Sequence, residues 1–179
     1  MRPLVALGPL VLVGVLSACS DPAATVDDGP DDASSTGAMT RETCAALVPD
    51  AVFADLGWVP TGSATPDELT CTREATEGQV SVQRRALAYT GPDDRAAAAR
   101  TAWEQRCDEV GAMVDRAAGI APEAAASCAL VADRGPDSVL VLRTGDDDVL
   151  EIRVAPRADT PVERIEAGLR ALATAATAS

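Results

Sequence analysis

The chain of 179 residues has 28 acidic and 15 basic residues, which give a formal net charge of −13. An acidic surface repels phosphate backbones, so nucleic acid is not expected as a partner. The chain contains no histidine. This absence excludes Ser-His-Asp and Cys-His nucleophile systems and removes the commonest general base.

The first 18 residues have the pattern of a secretory signal peptide. Arg2 precedes an uncharged apolar run over residues 4–16, and a basic start, a short apolar core and small residues at its end are typical of such signals. A membrane-spanning helix needs roughly 20 apolar residues, so the run is too short to be one. The sequence Leu-Ser-Ala-Cys at 16–19 resembles the bacterial lipobox.

We therefore predict that cleavage leaves Cys19 as the new N-terminus, with a diacylglycerol on its thiol and palmitate among the acyl chains. Two chains anchor a protein far more firmly than one, because each buried methylene adds about 0.8 kcal/mol. The alternative is an ordinary signal peptide followed by a cysteine by chance. The lipid-anchored form would lie on the extracytoplasmic face of the cell membrane.

Residues 19–40 are predicted to hold the lipidated cysteine and a disordered acidic tether. The segment is rich in Asp, Ser, Thr, Gly and Pro and has no basic residue before Arg41, and it has too little apolar area to offset chain entropy. A calcium site at the aspartate pairs 27–28 and 31–32 is the alternative. It is disfavoured because the alternating ligands of a calcium loop are absent.

Residues 41–179 are predicted to form one globular domain. Apolar residues at helical spacing, bounded by Pro49 and Gly57, indicate a turn over 44–48 and a helix over 49–56. Segments with alternating or continuous apolar residues are rich in Val, Leu and Ile, as strands are. The predicted strands are 67–75, 78–89, 127–132, 137–144 and 148–155.

Two further helices complete the predicted domain. One is capped by Asp93 and Asp94 and runs to Cys107; its Trp103 is assigned to the core, with stacking on a ligand as the alternative. The last helix begins with a capping box. Its capping and buried residues are predicted to be Thr160, Pro161, Val162, Glu163, Ile165, Leu169 and Leu172.

This order of elements predicts an α+β fold. We expect a small antiparallel sheet of about five strands, with about three helices packed on one face. After Cys19 is assigned to the lipid, four cysteines remain, and an oxidising compartment favours disulfides. Four cysteines allow three pairings. We favour Cys44 with Cys71 and Cys107 with Cys128, since each pair would join a helix to a nearby strand. A metal site is disfavoured because there is no histidine and no CxxC spacing.

Several motifs resemble those of the actinobacterial lipoprotein family catalogued as domain of unknown function 3558. They are the sequences CAALVPDAVFADLG and TCTRE, the Trp103 helix ending at Cys107, the sequence AAGIAPEAA and the terminal amphipathic helix. The resemblance covers residues 40–177. It implies an envelope lipoprotein with a polar tether and a disulfide-linked α+β domain, and it brings no catalytic residues. Thr72 and Arg73 depart from it, because many members have an aromatic residue soon after this strand cysteine.

The sequence offers little for catalysis. No GxSxG motif occurs, and a carboxylate-based cell-wall glycan hydrolase would need two acids about 5 to 9.5 Å apart across a cleft. We therefore expect no enzyme and no cofactor, with this hydrolase as the alternative. Its candidate acids are more simply explained as caps, turns or solvated positions: Asp50, Asp55, Asp93, Asp94, Asp146, Asp147 and Asp148.

The leading hypothesis is a non-catalytic binding or interaction module for an envelope protein or a small ligand. A ligand carrier needs an apolar cavity of some hundreds of cubic ångströms, whereas an adaptor needs an exposed patch or sheet edge. Trp58 follows the first helix and is the candidate ligand contact, with a position over the core as the alternative. Arg84 and Arg85 interrupt the alternation of their strand. They are candidates for an anionic group or for pairing with nearby acids.

Overall fold

We describe a computed structural model of the chain, which covers residues 38–132 and 137–179. The predicted signal peptide, Cys19 and the tether as far as residue 37 lie outside these described residues. Within the two described ranges, no helix is both long enough and apolar enough to cross a membrane. The domain begins slightly earlier than predicted, because Met39 is buried and its backbone N–H donates to the carbonyl of Glu68 at 2.7 Å.

The domain has four helices of seven or more residues and a one-turn helix in the described part of the chain. Thr40 caps the first helix by accepting a hydrogen bond from the backbone N–H of Thr43 at 3.1 Å. Gly57 ends the second and Gly111 the third, each with the positive φ that favours glycine. The helices are α1 (Arg41–Leu47), α2 (Asp50–Leu56), α3 (Arg95–Val110), α4 (Val114–Ala117) and α5 (Val162–Thr177).

Six antiparallel strands form one sheet in the order β1-β2-β3-β6-β5-β4. This confirms the predicted α+β class, with one strand more than expected. The extra strand arises because the predicted strand over 67–75 turns at Glu68 and Leu69. The strands are β1 (Thr65–Asp67), β2 (Thr70–Glu74), β3 (Gly78–Arg84), β4 (Ala126–Leu130), β5 (Ser138–Arg143) and β6 (Val149–Pro156).

Helices cover both faces of the sheet, which corrects the expectation that they pack on one face. Leu140 and Leu142 of β5 belong to the main core with α1, α2 and α5. Val139 and Val141 point the opposite way and pack in a second cluster with residues of α3. Because β5 is buried on both faces, each face needs a covering layer.

The starts of α3 and α5 differ from the predicted caps. A short 3₁₀ helix, Pro92–Asp94, precedes α3, and Asp94 makes no capping hydrogen bond to the α3 backbone. Pro161 occupies the N-cap position of α5, one residue later than predicted. The hydroxyl of Thr160 instead accepts a hydrogen bond from the Trp58 indole at 3.1 Å, so it does not cap the helix.

Both favoured disulfides are confirmed. Cys44 of α1 bonds to Cys71 of β2 with a Cα–Cα distance of 5.2 Å, and Cys107 of α3 bonds to Cys128 of β4 with a distance of 6.0 Å. Both distances lie in the ordinary range for disulfides. The first bridge links α1 to the sheet on one face, and the second links α3 to the sheet on the opposite face.

Candidate functional site

Trp58, the predicted ligand contact, lies in the hydrophobic core with 5% of its surface exposed. Its ring packs so closely on Gly78 that a Cβ at that position would lie 2.5 Å from the ring. The side chain borders a small cavity of about 180 Å³, but little of its surface is available there. This placement agrees with the alternative, in which Trp58 covers the core.

The side chains of Trp103 and Arg84 also have partners within the domain, whereas Arg85 is paired through its backbone. The indole N–H of Trp103 donates to the carbonyl of Val141 at 3.3 Å, which places the ring in the second core cluster. Arg84 Nε lies 3.4 Å from Asp148 Oδ2, and this pairing matches the alternative given for Arg84. The Arg85 backbone N–H donates to the carbonyl of Val149, which extends the pairing beyond β3.

The candidate acids of the hydrolase alternative are paired with arginines or exposed. Asp50 pairs with Arg73. Arg73 also lies over the Phe53 ring, 4.9 Å from its centroid. In the β5–β6 turn two more acids are paired and Asp146 is exposed. The remaining acids are exposed, Asp55 on α2 and Asp93 and Asp94 before α3. The turn pairs are Asp147 with Arg143 and Asp148 with both Arg84 and Arg95.

The carboxylates with shifted pKa values are also held ionised by arginines. A hydrogen bond from Arg157 lowers the pKa of Glu74, and one from Arg106 lowers that of Glu109. A glycosidase acid needs the opposite, a carboxyl pKa raised above its usual value.

A buried ion pair joins α3 to the sheet. Glu151 of β6 is 2% exposed, and it contacts Arg106 of α3 and Arg153 of its own strand. Burial by itself would raise the pKa of Glu151, but the hydrogen bonds from the two arginines lower it overall. The same contact raises the pKa of Arg106. The sequence pattern did not predict this cluster. The available signal was a glutamate between the apolar residues Leu150 and Ile152.

The structure brings α1, the β5–β6 turn and the end of α5 together around an open groove of about 580 Å³. Residues of α1 form one wall, the turn forms another, and the last turn of α5 forms the third. Its lining includes Glu42, Leu47, Asp146, Asp148, Leu150 and Ala176. We call this surface the α1–α5 groove.

The α1–α5 groove combines a partly apolar floor with acidic walls. Leu47, Leu150 and Ala176 are buried core residues that border it. Its charged side chains are three acids and one arginine, Arg84. An open and partly charged groove of this kind differs from the enclosed apolar cavity expected of a lipophilic carrier.

A second exposed surface lies at the β4 edge of the sheet. Met113, Val114 and Leu130 are 63%, 56% and 41% exposed. Met113 pairs with Ala129 through two backbone hydrogen bonds of 2.9 and 3.0 Å. This bridge occupies the middle of the β4 edge, so addition of a full strand there is obstructed. The α1–α5 groove is therefore the stronger candidate for a binding surface.

No protein-family model, curated protein or solved structure matches this chain. The resemblance noted from the sequence motifs accordingly stays a prediction.

Proposed function

We propose that this chain is a lipid-anchored cell-envelope lipoprotein whose domain is a non-catalytic interaction module for another envelope protein. The anchor is the diacylglycerol predicted on Cys19, and the module would stand on the extracytoplasmic face of the membrane. The proposal includes membership of the lipoprotein family that the sequence motifs resemble. The single observation that supports binding is the α1–α5 groove of about 580 Å³.

The shape of the groove favours an adaptor over a carrier of a lipophilic molecule. A carrier encloses its cargo in an apolar cavity and buries most of its surface. The α1–α5 groove is instead open to the exterior and has acidic side chains on two walls. Such a surface suits a segment of another macromolecule that lies partly exposed.

The charge pairing of the domain supports a non-catalytic role. Asp50, Asp147 and Asp148 are neutralised by arginines, and the pKa values of Glu74 and Glu151 are lowered. A retaining or inverting glycosidase instead pairs a protonated acid with an ionised one across a cleft. These contacts argue against the hydrolase alternative.

Replacing Cys19 tests the anchor. Cys19→Ser removes the thiol that would accept the lipid, so we expect the protein to leave the membrane fraction or to accumulate as an uncleaved precursor. Fractionation followed by intact-mass measurement distinguishes these forms. Processed Cys19→Ser protein that still sediments with membranes would refute lipidation at this position.

Photo-crosslinking in the producing cells tests the interaction. A benzophenone amino acid replaces Ala46, an exposed residue of the α1–α5 groove, and as a matched control it replaces Ala97, exposed on α3. We expect a discrete protein adduct from position 46 and none from position 97. Equal adducts at both positions, or a small-molecule adduct alone at position 46, would contradict an adaptor that uses this groove.

A further inference from the structure

We propose that the α1–α5 groove binds a basic segment of the partner protein, one that carries arginine or lysine side chains. This inference rests on the proposed function, because it specifies the chemistry of the partner at the same groove. It is carried by the charges that face the groove, by the polarity of α5 and by the exposed apolar part of the lining.

Two carboxylates of the groove have no ion-pair partner among the described residues. Glu42 lies in the first turn of α1 and Asp146 lies in the β5–β6 turn. Neither side chain forms an ion pair or hydrogen bond with any residue in the ranges that the structure describes. The third acid, Asp148, differs because it contacts both Arg84 and Arg95. Glu42 and Asp146 are therefore available to pair with external cations.

The end of α5 adds negative potential to the same groove. A helix of this length has a partial negative charge at its C-terminal end, where the last carbonyls lack helical partners. Basic side chains commonly compensate this charge, but the last turn of α5 contains none. Ala176 and Thr177 of that turn line the groove. A cationic group bound there would interact favourably with the α5 terminus.

The placement of the two acids favours a segment with two cations over a ligand with only one. Glu42 and Asp146 belong to different walls, so two cations held on one chain can meet both at once. The exposed methyl groups of Ala46 and Ala178 also line the groove, and the aliphatic stems of arginine or lysine can pack on them. Phosphate headgroups would be repelled.

Fluorescence anisotropy with a defined peptide tests the inference. The probe is a fluorescein-labelled peptide of alternating arginine and serine, and its uncharged counterpart has citrulline in place of arginine. The protein is the full mature chain in detergent. Glu42→Gln combined with Asp146→Asn removes the two acids. Glu104→Gln combined with Asp108→Asn on the exposed side of α3 makes the same change in net charge elsewhere.

We expect the arginine peptide to bind the unsubstituted chain and the citrulline peptide not to bind. The groove variant should bind about fivefold more weakly, the effect of losing two exposed ion pairs, whereas the α3 variant should be unchanged. Equal binding by all three proteins would show attraction by net charge only and would overturn the inference. Absence of binding, or spermidine binding as tightly as the peptide, would also overturn it.

The adaptor role and the preference for a basic segment can be refuted independently of each other. If the benzophenone at position 46 captures a protein but the arginine peptide does not bind, the partner is not basic and the adaptor role stands. If the peptide binds at the groove but no protein is captured at position 46, the adaptor role fails and the charge preference stands.

Discussion

Arg106 and Glu151 form a bidentate ion pair between α3 and β6, with Arg106 Nε 2.7 Å from one carboxylate oxygen and Nη2 3.0 Å from the other. The glutamate is buried, and α3 contributes few large apolar side chains to its contact with the sheet. The pair therefore holds the covering helix in place together with the Cys107–Cys128 disulfide. Charged pairs of this geometry are stronger than neutral hydrogen bonds.

Removing the charge of Arg106 is expected to destabilise the domain. Arg106→Met keeps much of the aliphatic stem and leaves Glu151 with Arg153 as its remaining cation. We expect the free energy of unfolding to fall by about 3 kcal/mol, because a buried carboxylate loses a partner. Urea unfolding followed by circular dichroism measures the change.

Glu109→Gln is the matched control, because Glu109 contacts the same arginine from a more exposed position. It should lower the free energy of unfolding far less than Arg106→Met does, because solvent screens an exposed ion pair. Equal losses in the two variants would show that burial of Glu151 does not distinguish the two contacts.

Lowering the pH should destabilise the fold, partly because Glu151 becomes protonated. Its pKa is lower in the folded chain than the usual value, so its stabilisation is fully present above the unfolded pKa of about 4.3. That stabilisation is lost as the pH falls from there toward the folded pKa. We expect the free energy of unfolding to fall more steeply between about pH 5 and about pH 3 in the unsubstituted chain than in Glu151→Gln. Parallel curves for the two proteins would contradict this role of Glu151.

Each disulfide should stabilise the domain by restricting the unfolded chain. The bridges span sequence separations of 27 and 21 residues, for which the chain-entropy estimate is about 3 kcal/mol each. Replacing Cys107 and Cys128 with serine should lower the thermal midpoint markedly.

Maleimide should label none of the four domain cysteines in unfolded, unreduced protein. Labelling of the unsubstituted chain at any of them would disprove the two bridges.

The close contact between Trp58 and Gly78 predicts that alanine substitutions at Gly78 and at Gly62 differ sharply in their effect on stability. A Cβ at Gly78 would lie 2.5 Å from the Trp58 ring and 2.6 Å from the carbonyl of Ala155, whereas one at Gly62 would have no atom within 4 Å. Gly78→Ala should therefore lower the free energy of unfolding by about 1 to 3 kcal/mol, and Gly62→Ala should leave it nearly unchanged. Tryptophan fluorescence during urea unfolding measures both. A neutral Gly78→Ala would show that Trp58 is not fixed against β3.

Local patterns predicted much of the fold. The alternation of apolar residues identified the β5–β6 hairpin, and the proximity of helices to strands identified both disulfide pairs. The placement of α3 was harder because its buried residues include Ala99 and Cys107, which give a weak apolar stripe. The continuous apolar run of β5 was the available signal that both faces of the sheet need cover.

The candidate site could not be predicted from local patterns. The α1–α5 groove is formed by residues near 42–47, 144–150 and 176–179, which are brought together only by the packing of α5 and α1 on the sheet. The pairing of Arg106 with Glu151 joins residues 45 positions apart. The sequence predicts Trp58 as a ligand contact because it follows a helix in a loop-like segment. Its hydrogen bond to Thr160, 102 positions away, is a tertiary contact without a local signature.

Native mass spectrometry of the protein extracted from its own envelope tests the central claim most directly. A parallel denatured spectrum reports the covalent mass, and the native spectrum reports what remains bound. We predict a chain that begins at Cys19 and carries the mass of the lipid, bound non-covalently to a second protein. An unlipidated chain, or a lipidated chain with only a discrete small-molecule adduct that is lost on denaturation, would contradict the lipid-anchored adaptor.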